Sequence, residues 1–304
     1  MRTIPLGQSG LNVPVIAVGC MNIPPLGEDG ARTLIHTALS AGANFFDHAD
    51  IYGRGESERL FAKAKAGIPR DKLLIQSKCG IVPGKMYDFS KAHILEAVDG
   101  ILSRLETDYL DALLLHRPDM LMEPEDVAEA FATLKKQGKV KHFGMSNQNS
   151  MQLQLLQSYL PDPICANQLQ LSITNATMIS QGINVNMLHG DSVQRDGSVL
   201  DYCRLNQITI QPWSPFRYGF FEGVFIGSPK YIELNQKLEE IGERYNASST
   251  TIAMAWLLRH PAKFQPITGT KNVKRLVECL NAANITLTRE EWYEIYLSAG
   301  NKLP

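Results

Sequence analysis

The segment most informative about the architecture is residues 43–53, Ala43-Asn44-Phe45-Phe46-Asp47-His48-Ala49-Asp50-Ile51-Tyr52-Gly53. It begins with an apolar run that stops at a carboxylate, which is typical of a buried strand whose last side chain leaves the core. Two later segments have the same form, Leu73-Leu74-Ile75-Gln76-Ser77-Lys78 and Leu113-Leu114-Leu115-His116. An ionisable group at the end of a buried strand is costly unless it meets a partner. We therefore expect the three strands to lie side by side and to bring their terminal side chains together.

Apolar runs of strand length recur along the whole chain and alternate with helical patterns. The eight candidate strands are Val15–Gly19, Ala43–Asp47, Leu73–Lys78, Tyr109–His116, Val140–Ser146, Cys165–Ser172, Ile208–Trp213 and Phe264–Gly269. The helical patterns between them are Gly30–Ala41, Ser57–Ala66, Ser90–Leu105, Pro124–Gln137, Ser150–Tyr159, Ser198–Leu205, Thr250–His260 and Val273–Asn281. A strand-then-helix repeat predicts a parallel sheet, and eight units favour closure into a barrel.

The predicted fold class is therefore α/β, a (β/α)8 TIM barrel formed by a single domain over residues 1–304. A doubly wound open sheet is the competing architecture, but Val18-Gly19-Cys20-Met21-Asn22 lacks the glycine-rich phosphate turn expected after its first strand. Residues 3–14 predict an N-terminal β-hairpin that covers the bottom of the barrel. Two amphipathic segments, Tyr231–Arg244 and Arg289–Ala299, predict two extra helices.

Composition narrows the class of protein. The chain has 304 residues, 44% of them hydrophobic and 20% charged, and a formal net charge of -1, which is ordinary for a soluble globular protein. No run of Lys or Arg forms a basic stripe and no apolar run is long enough to span a membrane, so neither nucleic acid nor membrane is expected as a partner. The first residues lack a signal-peptide pattern and the cysteines lack CxxC spacing, so we expect a cytoplasmic protein with reduced thiols. The histidines show no metal-ligand spacing, and no metal is expected.

Four residues at or just beyond predicted strand ends form a recognisable chemical set: Asp47, Tyr52, Lys78 and His116. A protonated Lys78 near Tyr52 would lower the pKa of the phenol, and Asp47 would keep Lys78 charged and in place. Tyr52 could then donate a proton to a developing alkoxide, while His116 binds the same oxygen. Such a set can reduce a carbonyl if a hydride is supplied. Because protein side chains supply no hydride, a nicotinamide cofactor is implied.

These residues give the chain a resemblance to the aldo-keto reductase superfamily, and the resemblance covers nearly the whole length. Residues 47–53 match the family signature Asp-x-Ala-x-x-Tyr-Gly, and Lys78 and His116 end the third and fourth predicted strands, as in the family. Within the family the chain most resembles bacterial oxidoreductases that carry Asp-His-Ala and Ser-Lys-Cys-Gly. The resemblance implies a TIM barrel, carbonyl reduction with Tyr52 as the proton donor, and NADPH as the cofactor.

The resemblance also implies where the nicotinamide would lie. Its carboxamide would meet Ser146 and Asn147 after the fifth predicted strand and Gln168 in the sixth. Its ring would stack on Trp213 at the end of the seventh strand, where the family usually has Tyr. The loop that follows would contact the pyrophosphate through Ser214, Pro215, Phe216 and Gly219.

A 2′-phosphate would be bound after the eighth predicted strand, which favours NADPH over NADH. Backbone amides at a helix start suit a phosphate, and an arginine can engage it with two parallel hydrogen bonds. The residues implied here are Gly269, Thr270, Lys271, Asn272 and Arg275, with Cys279 near the family's adenine contact.

The predicted function is reduction of aldehydes or ketones to alcohols with NADPH. Substrate contacts are predicted at Met21, Asn22 and Arg117 and in the loops 82–87 and 216–221. These positions are apolar with few cations, and they indicate a small hydrophobic carbonyl compound. The sequence leaves the physiological substrate and the oligomeric state open.

Two alternatives come from other classes of protein. One is an NADP(H)-binding sensor or regulatory subunit with little turnover, because potassium-channel β subunits resemble the same fold. All four catalytic residues are retained here, which disfavours it. The other is a Schiff-base aldolase in which Lys78 attacks a carbonyl. A partner such as Asp47 would keep that lysine protonated and non-nucleophilic, which argues against an aldolase.

Overall fold

A computed structural model describes residues 1–220 and 222–304 of the chain. Its strands follow the apolar runs of the sequence, and most barrel strands are shorter than the runs that predicted them. The strands are β1 Thr3–Pro5, β2 Asn12–Pro14, β3 Ala17–Gly19, β4 Phe45–Asp47, β5 Leu74–Cys79, β6 Ile81–Val82, β7 Met86–Tyr87, β8 Leu110–Leu115, β9 Val140–Ser146, β10 Ala166–Gln170, β11 Thr209–Trp213, β12 Arg217–Tyr218, β13 Gly223–Val224 and β14 Ile267–Thr268.

Eight of these strands form one parallel sheet in the order β11-β10-β9-β8-β5-β4-β3-β14. The two outer strands of that order meet, because the amide N–H of Gln265, just before β14, donates to the carbonyl of Ile210 in β11 at 3.1 Å. The sheet is therefore a nearly closed barrel. The predicted (β/α)8 fold is confirmed.

Helices cover the outside of the barrel and turn their apolar faces onto the strands. The α-helices are α1 Gly27–Ser40, α2 Glu56–Ala64, α3 Lys91–Leu105, α4 Pro124–Lys136, α5 Ser150–Gln157, α6 Thr177–Ile183, α7 Val199–Leu205, α8 Ile232–Tyr245, α9 Ser249–Arg259, α10 Val273–Asn281 and α11 Arg289–Ser298. Their ends follow local capping chemistry: Ser90 caps α3 by accepting from the amide of His93, and Thr288 with Glu291 forms a capping box on α11. The two extra helices predicted from the sequence are α8 and α11.

The N-terminal hairpin closes the bottom of the barrel, as predicted. β1 pairs antiparallel with β2, and Leu6 and Val13 are fully buried among side chains inside the barrel. The amide of Gly7 donates to Oγ1 of Thr209 at 2.8 Å. A Cβ atom at Gly7 would lie 2.4 Å from the carbonyl oxygen of Cys165, so only glycine fits this approach. The hairpin does not cover the opposite rim, where the strands end and where active sites lie in barrels of this kind.

Three small elements were not predicted. Helix α6 has only seven residues, and the two-residue strand pairs β6–β7 and β12–β13 form short hairpins after β5 and β11. Strands this short carry no detectable alternation, which is why the sequence did not indicate them. In the ranges 1–220 and 222–304, no helix combines the length and the apolarity needed to cross a bilayer.

Candidate active site

The predicted catalytic residues meet at the C-terminal rim of the barrel. Nζ of Lys78 lies 2.8 Å from Oδ2 of Asp47 and 3.1 Å from the hydroxyl of Tyr52, and it also donates to the carbonyl of His48 at 2.7 Å. The ring of His116 faces that of Tyr52 edge to face, with centroids 5.9 Å apart. Lys78 and Asp47 are buried, and Tyr52 is half-buried at the entrance. A carboxylate, an ammonium and a phenol thus form one continuous chain of polar contacts that ends at the opening.

A layer of glutamines inside the barrel fixes the position of Asp47. Nε2 of Gln76 and Nε2 of Gln168 both donate to Oδ1 of Asp47, at 2.7 and 3.0 Å. Gln76 and Gln211 then bond each other, and Gln211 donates to Gln265 at 2.8 Å. The carboxylate is therefore satisfied on both oxygens before any ligand binds. Sequence reasoning missed Gln76, Gln211 and Gln265, although a glutamine inside a largely apolar strand segment is a usable signal for an inward polar group.

Burial and charge set the protonation of the rim. Burial alone would lower the pKa of Lys78, but the neighbouring Asp47 and Tyr52 raise it above its ordinary value. Lys78 is therefore an ammonium ion at neutral pH, which argues against the nucleophile of an aldolase. Burial raises the pKa of Tyr52, and the Lys78 ammonium acts in the opposite direction without reversing it. The net direction differs from the sequence-based expectation of a lowered pKa, because the depth of the hydroxyl could not be known from the sequence.

His116 is a neutral imidazole in this setting. Burial, followed by the charges of Lys78 and Arg117, lowers its pKa well below the ordinary value. Its Nδ1 is buried and has no hydrogen-bond partner among the described residues. The other ring nitrogen is the one available to a substrate oxygen next to Tyr52.

The loop that carries Tyr52 is held from behind by a buried ion pair. The three residues after Tyr52 all have positive φ, between 56° and 85°. Nε of Arg104 lies 2.7 Å from Oε2 of Glu58, and Ser77 donates to the other oxygen of that carboxylate at 2.9 Å. A Cβ at Gly55 would lie 2.6 Å from Cδ of Arg104, so the glycine lets the arginine pass beneath the loop. The sequence analysis singled out neither Glu58 nor Arg104.

Two more residues of the signature segment have unusual environments. His48 is fully buried, packs edge-on against Phe61 at 4.5 Å, and has a pKa lowered to about 3 by burial and by Lys78. It is a neutral packing residue. Asp50 has a pKa raised to about 7 by burial and by the charge of Glu58. Its Oδ1 is buried without a hydrogen-bond partner among the described residues.

The residues predicted to meet the nicotinamide lie together beside the catalytic group. Oδ1 of Asn147 accepts from the indole N–H of Trp213 at 3.0 Å, and the Asn147 amide donates to the hydroxyl of Ser146 at 2.8 Å. Ser146 in turn donates to the carbonyl of Gln168. Asn147 and Ser214 have φ values of 59° and 53°, so both strands leave the barrel through left-handed turns. A half-exposed aromatic ring thus stands among amide and hydroxyl groups.

The loop after Trp213 contains the predicted pyrophosphate contacts. Pro215 is buried, whereas Ser214, Phe216 and Gly219 are partly exposed. The carbonyl of Gly219 accepts from Gln170 at 2.7 Å, which fixes the loop against β10. The predicted substrate loop 216–221 belongs to the same region, and its last residue, Phe221, lies outside the described residues.

The segment after β14 carries exposed cations at a helix start. Asn272 caps α10 by accepting from the amide of Arg275 at 3.0 Å, and Lys271, Lys274 and Arg275 are exposed. In the described residues none of these three cations has a carboxylate oxygen within 4 Å. Gly269 is exposed and Thr270 partly so, and a Cβ at Gly269 would meet only Asn22, at 3.4 Å. This segment is open to a phosphate.

Cys279 does not belong with this group. Its side chain is fully buried and accepts from Oγ1 of Thr268 at 3.5 Å, and burial raises its pKa to about 11. The thiol therefore faces the core and not the solvent beside Lys271 and Arg275. We therefore propose no contact between the Cys279 thiol and a cofactor.

The exposed groups near Trp213 and after β14 are of the chemical types that bind a nicotinamide dinucleotide. A half-exposed indole with adjacent amides suits an amide-bearing ring, and an open glycine segment leading to exposed cations suits a phosphate. The predicted substrate residues surround the same opening: Met21 is exposed, and Asn22 donates to the carbonyl of Gly269 at 2.9 Å. Arg117 is half-buried near Trp213.

Known proteins resemble this chain over most of its length. The sequence model of the Aldo/keto reductase family matches residues 15–296. An uncharacterized oxidoreductase, YcsN, of Bacillus subtilis is 38% identical over 278 residues, which cover 87% of this chain and 86% of that protein. A 6-dehydroglucose reductase of Agrobacterium fabrum is 33% identical over 281 residues, which cover 88% of this chain and 87% of that protein.

A solved structure shows the same architecture. The crystal structure of a thermostable aldo-keto reductase, Tm1743, in complex with the inhibitor epalrestat has a TM-score of 0.79 and 28% identity to this chain. The match covers 98% of this chain and all of the other.

Proposed function

The chain belongs to the aldo/keto reductase family, a family of oxidoreductases, and on that premise we propose that it reduces an aldehyde or ketone to an alcohol with NADPH. In this proposal Tyr52 donates the proton, and Asp47, Lys78 and His116 support it. Residues 1–304 act as one domain. The observation that carries the proposal is the chain of contacts from Asp47 through Lys78 to Tyr52, at 2.8 and 3.1 Å.

The protonation states support this division of roles. Tyr52 is protonated at neutral pH, as a proton donor must be, and burial raises its pKa further above the ordinary value. As the carbonyl oxygen gains negative charge, Tyr52 releases its proton and the phenolate that remains is stabilised by the Lys78 ammonium at 3.1 Å. Asp47 keeps the ammonium in place and offsets its charge in a buried position. Neutral His116 offers a hydrogen bond to the same oxygen and orients the carbonyl.

The cofactor, when bound, supplies the hydride to the carbonyl carbon. Ser146, Asn147 and Gln168 would hold its carboxamide, and Trp213 would stack on its ring. Ser214, Pro215, Phe216 and Gly219 would border its pyrophosphate. Its 2′-phosphate would be bound by Gly269, Thr270, Lys271, Asn272 and Arg275. The preference for NADPH over NADH rests on the exposed cations Lys271 and Arg275, which meet no carboxylate within the described residues.

Tryptophan fluorescence tests the cofactor part of the proposal. Trp213 is half-exposed, whereas Trp256 and Trp292 are buried and stack on each other at 4.9 Å. Titration with NADPH should quench the fluorescence saturably. The dissociation constant for NADPH should be lower than that for NADH. A Trp213→Tyr variant should bind NADPH but lose the quenching, which assigns the signal to that ring.

A panel of neutral aldehydes and ketones tests the reaction. The wild-type enzyme should consume NADPH with some members of the panel, and a Tyr52→Phe variant should not. Saturable NADPH binding without oxidation by any carbonyl would instead favour the sensor class. A covalent adduct at Lys78 after borohydride treatment would favour the aldolase.

A further inference from the structure

A half-buried cation stands at the entrance to the site. Arg117 directly follows His116 at the end of β8. Its guanidinium carbon lies 5.5 Å from the centroid of the Trp213 ring and 5.7 Å from that of Phe220. The two rings meet edge to face at 6.2 Å. Guanidinium groups are attracted to aromatic rings, so these contacts hold the side chain beside the site.

The nearby carboxylates of the described residues are engaged elsewhere. Asp119, two residues further on, accepts from the backbone amides of Phe89 and Leu121, each at 2.9 Å. Asp88 accepts from the amide of Ser90 at 2.9 Å. The side-chain carboxyl of Glu222 lies against Gly219. No carboxylate oxygen of residues 1–220 and 222–304 lies within 4 Å of Arg117, so its charge has no ion-pair partner among these residues.

The environment makes this charge unfavourable as it stands. Burial lowers the pKa of Arg117, and only the phenols of Tyr87 and Tyr52 act to raise it. A partly desolvated cation without a counter-ion costs free energy that an anion in contact with it would recover. Arg117 also directly follows His116, whose ring faces that of the proposed proton donor Tyr52 with centroids 5.9 Å apart.

The rest of the entrance is apolar. Exposed side chains lie in the loops that follow β3, β5, β8 and β11, all at the rim where the catalytic group opens. They are Met21, Met86, Tyr87, Met120, Leu121 and Phe220. Exposed apolar side chains grouped around a functional opening mark a contact surface for an apolar ligand.

We propose that the substrate is a carbonyl compound with an apolar body and a carboxylate, and that Arg117 binds the carboxylate while Tyr52 and His116 meet the carbonyl oxygen. The inference rests on the proposed reductase function and adds the substrate class. A carboxylate matches the planar guanidinium with two parallel hydrogen bonds, which a neutral ester cannot do. 2-Oxo acids and carboxylated aldehydes belong to this class.

Matched substrate pairs test the proposal directly. The acids are phenylglyoxylate and 4-carboxybenzaldehyde, and the neutral partners are their methyl esters. We expect the wild-type enzyme to favour each acid over its ester in kcat/KM. In Arg117→Gln this acid-to-ester ratio should fall by about 10- to 100-fold, the range for losing a charged hydrogen bond. Arg117→Lys keeps the positive charge but loses the planar guanidinium with its two parallel donors. Its acid-to-ester ratio should lie between those of the wild-type enzyme and Arg117→Gln.

A control variant separates the effect of the Arg117 cation at the entrance from the effect of the protein's net charge. Lys91 is an exposed residue that pairs with Glu129 on the surface, and Lys91→Gln removes one positive charge without altering the entrance. It should keep the wild-type acid-to-ester ratio. NADPH titration of Arg117→Gln should give the wild-type dissociation constant. A weaker affinity for NADPH would mean that Arg117 serves the phosphates of the cofactor, and the proposal would be overturned.

The outcomes distinguish this inference from the proposed function. Reduction of the esters with no preference for the acids would leave the reductase in place and reject the carboxylate site. If no compound is reduced, the same pairs can be compared as ligands by thermal unfolding of the NADP⁺-saturated protein. Stabilisation by the acid that is lost in Arg117→Gln would support the site. Equal stabilisation by acid and ester would reject it.

Discussion

The ammonium nitrogen of Lys78 lies 3.1 Å from the phenolic oxygen of Tyr52. The lysine is fully buried, so its charge acts on the phenol across a medium that contains little water. A charge in such a medium has a larger effect than the same charge in solvent. The contact connects the core of the barrel, where Asp47 holds the lysine, to the opening where a substrate would bind.

Replacing Tyr52 by Phe should remove the proton donor while leaving the cofactor contacts intact. We expect kcat to fall by about 10²- to 10⁴-fold, the usual contribution of a general acid. Steady-state kinetics measure this, and the NADPH dissociation constant from fluorescence should stay at the wild-type value. A variant that retains wild-type kcat would show that another group protonates the oxygen.

Lys78→Met should destabilise the protein as well as inactivate it. It leaves the carboxylate of Asp47 buried without its ammonium partner, and breaking one side of a buried pair costs about 3–5 kcal/mol. Urea denaturation should show this loss in the free energy of unfolding. The double variant Asp47→Asn/Lys78→Met should recover most of the stability and none of the activity. If the double variant is no more stable than Lys78→Met, the unpaired charge is not the cause.

Asp50 should make the stability depend on pH. Its pKa is raised from 3.8 to about 7 in the folded protein, so the folded state binds more protons than the unfolded state between these values. The stability that this group contributes is full below pH 3.8 and is lost as the pH rises through about 7. Asp50→Asn should therefore be more stable than wild type above pH 8, on the order of 4 kcal/mol, and no more stable at pH 4.

Chemical denaturation across this pH range measures the difference between wild type and Asp50→Asn. An exposed carboxyl, replaced in Asp71→Asn, serves as the control. Glu58, Arg104 and Lys78 also act on Asp50 and remain in both proteins. A difference that does not change with pH would mean that Asp50 does not titrate in this window.

Gly7→Ala should test the hairpin that closes the barrel. The added Cβ would lie 2.4 Å from the carbonyl of Cys165, and the residue has a φ of +54°. We expect a loss of about 2 kcal/mol or more in the free energy of unfolding, from the clash and from the left-handed backbone. Gly10→Ala is the matched control, because its φ is +78° but nothing lies within 4 Å of the added atom. Its cost should be about 1 kcal/mol. Equal losses would mean that the approach to Cys165 is not tight.

Arg275→Ala should weaken NADPH binding and leave NADH binding unchanged. Losing a charged hydrogen bond to the 2′-phosphate should raise the NADPH dissociation constant by about tenfold or more. Fluorescence titration with both cofactors gives the ratio of the two constants. The neighbouring Lys274→Ala, which also removes one exposed cation from α10, should change this ratio much less. A parallel loss for both cofactors would place Arg275 away from the 2′-phosphate.

The fold was predictable because its strands are apolar runs separated by helical periodicity. The meeting of Asp47, Lys78 and His116 at one rim was predictable because each of them ends such a run. Helix α6 was not predicted because it has only seven residues, too few for a strong periodic signal. The glutamine layer was not predicted because Gln76 and Gln211 are 135 residues apart in the chain and meet only when the barrel closes.

Burial accounts for two places where the structure differs from the sequence-based expectations. Cys279 was assigned by its place after Arg275, but Leu276, Cys279 and Leu280 form the buried face of α10. Their helical spacing could have predicted this. The direction of the pKa shift of Tyr52 could not be predicted, because it depends on how much burial opposes Lys78. Residue types and spacing predict which groups meet, whereas the depth at which they meet comes only from the assembled barrel.

The late position of β14 has a consequence for synthesis on the ribosome. β14 pairs with β3 and is joined to β11 through Gln265, so a nascent chain that ends before it has two unpaired sheet edges. Such edges invite association with other chains. The segment proposed to bind the phosphate, residues 269–275, follows β14 directly. Under the proposed function, barrel closure and the phosphate contacts become available at nearly the same point of synthesis. A bound cofactor could then stabilise the chain only after α10 has been translated.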